Sequence, residues 1–240
     1  MNIALVTCAD KAPKESYYLF DEMKESLRRL GLEPIILGWG EPWGGLGSKP
    51  RLLKQAIESG KITAERIIWF DAFDVVFVDP PEIMVELAIE FFDDKLVYNA
   101  EKNCFPDASL AEKHPQTKHP FRYLNSGFAV GRTCDFMAML EWIKADEIPN
   151  DSRNPDGSGN HPNDQDYVMR AFVSGELPMA LDTSGIICHT LCGVEESEFD
   201  FSGESIENLK TGAWPCAFHA NGPSKDSGIM APILRKLGYR

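Results

Sequence analysis

The run Ile67-Ile68-Trp69-Phe70-Asp71-Ala72-Phe73-Asp74-Val75-Val76-Phe77 is apolar except for two carboxylates three residues apart. So apolar a stretch has to be buried, and burying an unpaired carboxylate is costly. Any fold that accepts it must give both acids a partner. Carboxylates at the carboxyl end of a buried strand stand where open α/β sheets bind their ligands. Two hard oxygen ligands suit a divalent cation such as Mn²⁺ or Mg²⁺. A plain turn between two strands, where Asp is common, suits the same pair.

The flanking pattern fixes the fold class. Residues 2–7, 34–37, 66–70, 75–78 and 96–98 read as strands, and 14–30, 50–60 and 80–92 as helices between them. This alternation predicts an α/β, Rossmann-like fold with a mostly parallel central sheet flanked by helices. The second half is less regular. A strand over 123–131 contains Asn125-Ser126-Gly127, helices are expected at 134–145 and 164–174, and 147–163 reads as an exposed loop. Short strands are expected at 179–182, 186–190 and 214–219. No repeat or linker divides the chain, so residues 1–240 are read as one domain.

Composition removes several function classes. Hydrophobic residues make up 43% of the chain, enough for a sizeable core. A net charge of −13 argues against nucleic acid as a partner, which calls for a basic face. It also makes a bound cation useful for any phosphate ligand. No apolar run approaches the roughly 20 residues of a membrane span. The start lacks the basic region of a signal peptide, so a cytoplasmic location and reduced thiols for the six cysteines are expected.

Four further segments carry candidate chemistry. His219 ends an expected strand before the Asn221-Gly222-Pro223 turn, where it offers a nitrogen ligand, and Lys225 offers a donor to phosphate. The same residues also make an ordinary turn. Asn163 or Asp164 either caps the helix that follows or reaches toward a ligand. Gly127 inside an apolar strand marks a bulge or a close backbone approach. Trp39 and Trp43 sit in a Gly-rich loop suited to covering a site. Gly45-Leu46-Gly47 lacks the third glycine of a dinucleotide fingerprint. Cys188 and Cys192 lack the second ligand pair that zinc needs.

Taken in order, these segments resemble the glycosyltransferase domain of procollagen lysyl hydroxylases. The resemblance rests on Leu37-Gly38-Trp39-Gly40-Glu41-Pro42-Trp43-Gly44-Gly45, Phe70-Asp71-Ala72-Phe73-Asp74-Val75, Tyr123-Leu124-Asn125-Ser126-Gly127, Asn163-Asp164-Gln165 and His219-Ala220-Asn221-Gly222-Pro223-Ser224-Lys225. It implies a GT-A fold and a Mn²⁺-dependent retaining transferase using UDP-glucose or UDP-galactose. Asp71, Asp74 and His219 would hold the metal. Phe73 would lie against the uracil, where the family usually has tyrosine. Thr7, Trp43, Asn221, Gly222 and Lys225 would serve the nucleotide. Asp164 and Asn125 would orient the sugar. Glu101 would orient an acceptor hydroxyl of unknown identity, beside Phe105 where the family has tryptophan. A two-metal phosphoesterase or pyrophosphatase and a non-catalytic UDP-sugar binding module are the alternatives. Neither the acceptor nor the oligomeric state is legible in the chain.

Overall fold

The structure is a computed structural model that describes residues 1–11, 19–154, 158–225 and 228–239. Eleven strands and six α-helices follow one another among the described residues. They are β1 Ile3–Cys8, α1 Phe20–Arg29, β2 Ile35–Leu37, α2 Ser48–Glu58, β3 Arg66–Asp71, β4 Val75–Phe77, α3 Pro81–Phe92 and β5 Leu96–Glu101. Then come β6 Tyr123–Arg132, α4 Thr133–Trp142, α5 Asp164–Ser174, β7 Met179–Asp182, β8 His189–Thr190, β9 Phe199–Asp200, β10 Glu207–Asn208, β11 Ala217–His219 and α6 Met230–Lys236. The helix expected from Lys14 is seen from Phe20, and residues 14–18 lie outside the described ones. The periodicity did not announce α6 or the small β9–β10 hairpin.

The main sheet has the order β2-β1-β3-β6-β5-β7. The β1–β2, β1–β3 and β5–β7 pairings are parallel. Strand β6 runs against both its neighbours, β3 and β5. A parallel return needs a long crossover, usually a helix. Between β5 and β6 the chain makes only a 3-10 turn at Ala108–Lys113, so β6 returns reversed. Strands β1 and β3 are buried along almost their whole length because helices cover both faces.

Two local irregularities create the site. Along the β5–β6 ladder Tyr98 pairs with Ala129, but Ala100 pairs with Leu124. An unbroken antiparallel ladder would bring Ala100 to Gly127, so Asn125, Ser126 and Gly127 are displaced from the ladder. The second irregularity is a separate sheet, β4-β11-β8, set beside the end of β3. Its register places His219 opposite Val75, and the Ala220 amide donates to the Asp74 carbonyl at 2.7 Å. Residues 144 positions apart in sequence become neighbours through this one strand pairing.

Within that sheet, on β8, His189 is buried among Phe121, Phe199 and Phe218. Burial disfavours its charged form and brings its pKa down from 6.5 to about 4. The unfolded chain therefore binds a proton that the folded chain refuses between pH 6.5 and about 4. Stability falls as pH drops through that window, by roughly 3 kcal/mol in total. Denaturant titrations at pH 7 and pH 5 on the wild type and His189→Gln will show a smaller pH difference in the variant.

Candidate functional site

Asp71 is the last residue of β3, and Asp74 follows one turn later, just before β4. His219 closes β11. Ligand atoms of Asp71, Asp74 and His219 lie within 4.8 Å of one another. His219 Nε2 is 3.5 Å from Asp74 Oδ1 and 3.9 Å from Asp71 Oδ2. That nitrogen is buried and has no hydrogen-bond partner among the described residues, a costly state for a polar atom. The donor set of two carboxylates and one imidazole fits a divalent cation. Space for it is kept open by Gly127. A Cβ at that position would stand 2.2 Å from His219 Cε1 and 2.9 Å from Asp71 Oδ2.

The cluster opens into a cleft with two adjoining lobes. One, of about 540 Å³, is lined by Asp71, Asp74, Glu101, Asn125, Gly127, Asp164, His219, Asn221 and Gly222. The other, of about 280 Å³, lies over the end of β1 and is lined by Trp43, Phe73, Lys49, Asp71 and Asp74. Phe73 is braced from behind by Phe20, with ring centroids 5.7 Å apart. Phe20 in turn stacks on Trp39 at 5.7 Å. Trp43 is partly exposed at the lip. Thr7 is on β1, next to the strand's last residue. It is fully buried, and its hydroxyl donates to the Phe70 carbonyl at 2.6 Å. The Lys225 side chain lies outside the described residues.

On the other wall, α5 settles the ambiguity of the Asn163-Asp164 pair. The Asn163 side chain caps the helix, accepting from the Gln165 amide at 3.0 Å. Asp164 is thereby left to face the cleft. Its Oδ2 accepts from Ser126 Oγ at 3.0 Å and lies 3.5 Å from Lys49 Nζ. Burial raises its pKa, and the Asp71 charge adds to the rise, against the pull of Lys49.

Three amides enclose Glu101. Asn125 Nδ2 and Gln165 Nε2 each donate to Oε1 at 2.9 Å, and Asn221 Nδ2 donates to Oε2 at 3.1 Å. Burial nonetheless pushes this carboxyl above its ordinary range. Asn125 is also committed at its other end, where Oδ1 accepts from the Gly127 amide at 2.9 Å. Its two bonds hold the displaced segment of β6 in shape. Asn221 Oδ1 ties down the amides of Leu191 and Cys192 at 3.1 and 2.9 Å.

Lys49 is a site residue that the sequence motifs did not single out. Its ammonium donates to Asp71 Oδ1 at 2.5 Å and reaches Asp164 at 3.5 Å, joining the Asp71–Asp74–His219 cluster to the α5 wall. Burial works against its charge, but the carboxylates of Asp164 and Asp71 outweigh it and hold its pKa above the usual lysine value. A signal was present. Lys49 sits in the first turn of α2, where the helix dipole disfavours a cation.

A helix-covered sheet with acids and an imidazole gathered at its carboxyl edge is the construction of a GT-A glycosyltransferase. The chain belongs to the PLOD GT domain family, whose family model matches residues 1–229. It is 31% identical over 219 residues to the multifunctional procollagen lysine hydroxylase and glycosyltransferase of Caenorhabditis elegans, covering 84% of this chain and 28% of that protein. It is 27% identical over 206 residues to human LH3 of the same description, covering 79% of this chain and 26% of the human protein. The chain thus spans less than a third of these two relatives. An uncharacterized mimivirus protein, R699, is 26% identical over 209 residues, covering 81% of this chain and 41% of that protein. The crystal structure of a glycosyltransferase involved in glycosylation of the major capsid of PBCV-1 superposes with a TM-score of 0.54 at 13% identity. That superposition covers 96% of this chain and all of the viral one, and shows a shared fold.

Proposed function

We propose that this chain, acting as one domain, is a divalent-cation-dependent hexosyltransferase. It moves glucose or galactose from a UDP-sugar to an acceptor hydroxyl, with retention. The observation that carries the reading is the convergence of Asp71, Asp74 and the bare Nε2 of His219 on one space at the head of the cleft. These residues would hold Mn²⁺ or Mg²⁺. When bound, the cation supplies Lewis-acid relief for the negative charge that grows on the departing UDP.

The chain's own groups do the rest. Phe73 and Trp43 flank the lobe over β1, where a flat base is held between aromatic faces. Lys49 presents a buried positive charge between Asp71 and Asp164, where it stabilises charge developing on the departing phosphate. Asp164 accepts a sugar hydroxyl. Asn125 acts through the segment it holds. Glu101, with its amides, shapes the floor on which the acceptor hydroxyl rests. The glycosyl centre passes through an oxocarbenium-like state, and a site closed to bulk water favours transfer over hydrolysis.

Asp71→Ala, Asp74→Ala and His219→Ala will each abolish Mn²⁺-dependent UDP binding by calorimetry while the fold is kept. Unchanged affinity in the three variants rejects the site. A screen of UDP-sugars for UDP release with Mn²⁺, with and without acceptor, separates transfer from hydrolysis. Binding without release under every acceptor indicates a binding module instead.

A further inference from the structure

Asn99 interrupts the apolar run of β5 two residues before Glu101, and it is buried. It stands where the β5–β6 ladder slips, behind the displaced Asn125–Gly127 segment. Four groups surround its amide: the backbone carbonyls of Asn125 and Phe128, Nδ1 of His219, and the Cys188 thiol 3.9 Å away on the His219 side. Carbonyls only accept hydrogen bonds, so they select which way the amide points. With its nitrogen toward them, Nδ2 donates to the Asn125 carbonyl at 2.7 Å and to the Phe128 carbonyl at 3.2 Å. Oδ1 then faces His219 Nδ1 at 3.1 Å. The reverse orientation would set three oxygens against one another.

An oxygen acceptor at Nδ1 requires the ring's proton to be there. A neutral imidazole carries one N–H, so Nε2 is left with its lone pair. Nε2 is also the ring atom that faces Asp74 and Asp71. We propose that Asn99 is the positioning residue that sets the tautomer of His219, so that an unprotonated Nε2 faces the cation position. The same amide ties down the β6 segment whose Gly127 keeps that position open, so one side chain couples the two halves of the site. The proposal rests on reading Asp71, Asp74 and His219 as metal ligands.

The test begins without metal. Histidine-selective ¹⁵N labelling gives five imidazoles, and His219 is assigned as the set missing from His219→Gln. At about pH 8, where histidine is ordinarily neutral, wild-type His219 will show a protonated-type Nδ1 and an unprotonated-type Nε2. Asn99→Leu will show a mixture of tautomers, and its Mn²⁺ affinity in the presence of UDP will be roughly 10–100-fold weaker. Asn99→Asp keeps an acceptor at Nδ1 and will keep the tautomer, but its second oxygen faces the Asn125 and Phe128 carbonyls, so the variant will melt at a lower temperature. A proton on Nε2 in the wild type overturns the proposal, as does an unchanged tautomer in Asn99→Leu. A wild-type proton on Nε2 overturns it even if both variants fail to fold. Separately, Mn²⁺ and UDP that bind without disturbing the His219 resonances reject the ligand reading, while the metal-free spectrum still reports on Asn99.

Discussion

Gly127→Ala will abolish Mn²⁺-dependent UDP binding and lower transferase activity by more than about 100-fold, the equivalent of roughly 3 kcal/mol. The new methyl would lie 2.2 Å from His219 Cε1, 2.8 Å from His219 Nε2 and 2.9 Å from Asp71 Oδ2. Something has to move, and the ring has nowhere to go. His219 is buried, paired through β11 to β4 and held by Asn99 on its far side. Asp71 is held by Lys49. The methyl therefore occupies the space in which a cation would meet its ligands. The cause is volume and not backbone conformation, because Gly127 is absent from the positive-φ glycines. Overpacking of this kind also costs about 1–3 kcal/mol of stability, so a thermal melt belongs beside the calorimetry. A folded Gly127→Ala protein that binds Mn²⁺ and UDP as tightly as the wild type places the cation elsewhere.

The same position shows how far the sequence could be read. A glycine flanked by polar residues inside an apolar strand announced a bulge or a close approach, and the structure gives both. Asp71 and Asp74 were legible because an apolar run cannot leave two acids without partners. His219 was not legible alone. Its partner strand β4 lies 144 residues away in register, and only the resemblance joined the two. The Asn163-Asp164 pair offered two candidates for one cap, and the choice depends on helix geometry that spacing does not encode. The reversal of β6 follows from the missing crossover helix between residues 102 and 122, a feature of the connection and not of the strand. Thr7 is buried with its hydroxyl bonded to a carbonyl across the sheet, a partner its place in the sequence does not encode. Lys49 and Asn99 were passed over for a common reason. Each is a single polar residue whose role is defined only by neighbours distant in sequence.

Lys49→Met keeps the length of the stem and removes the charge, and its consequences separate two roles of Asp71. In the wild type Asp71 divides its oxygens: Oδ1 takes the Lys49 ammonium at 2.5 Å, and Oδ2 faces His219 at 3.9 Å. Without the ammonium, Asp71 and the buried Asp164 face each other uncompensated. Removing one partner of a buried charge pair costs about 3–5 kcal/mol, so the melting temperature of the metal-free variant will drop sharply. A divalent cation restores part of the missing positive charge. Added Mn²⁺ will therefore raise the melting temperature of Lys49→Met more than that of the wild type. Turnover will not recover with the fold, because the cation cannot also stand between Asp71 and Asp164 where Lys49 serves the donor. Loss of a preorganised donor to developing charge costs roughly 10²–10³ in kcat. The expected pattern is thus a metal-stabilised, UDP-binding protein that turns over at least about 100-fold more slowly. Near-normal turnover in the metal-stabilised variant would make Lys49 a counter-ion for two acids and nothing more, and the charge that assists departure of UDP would have to come from another group in the cleft.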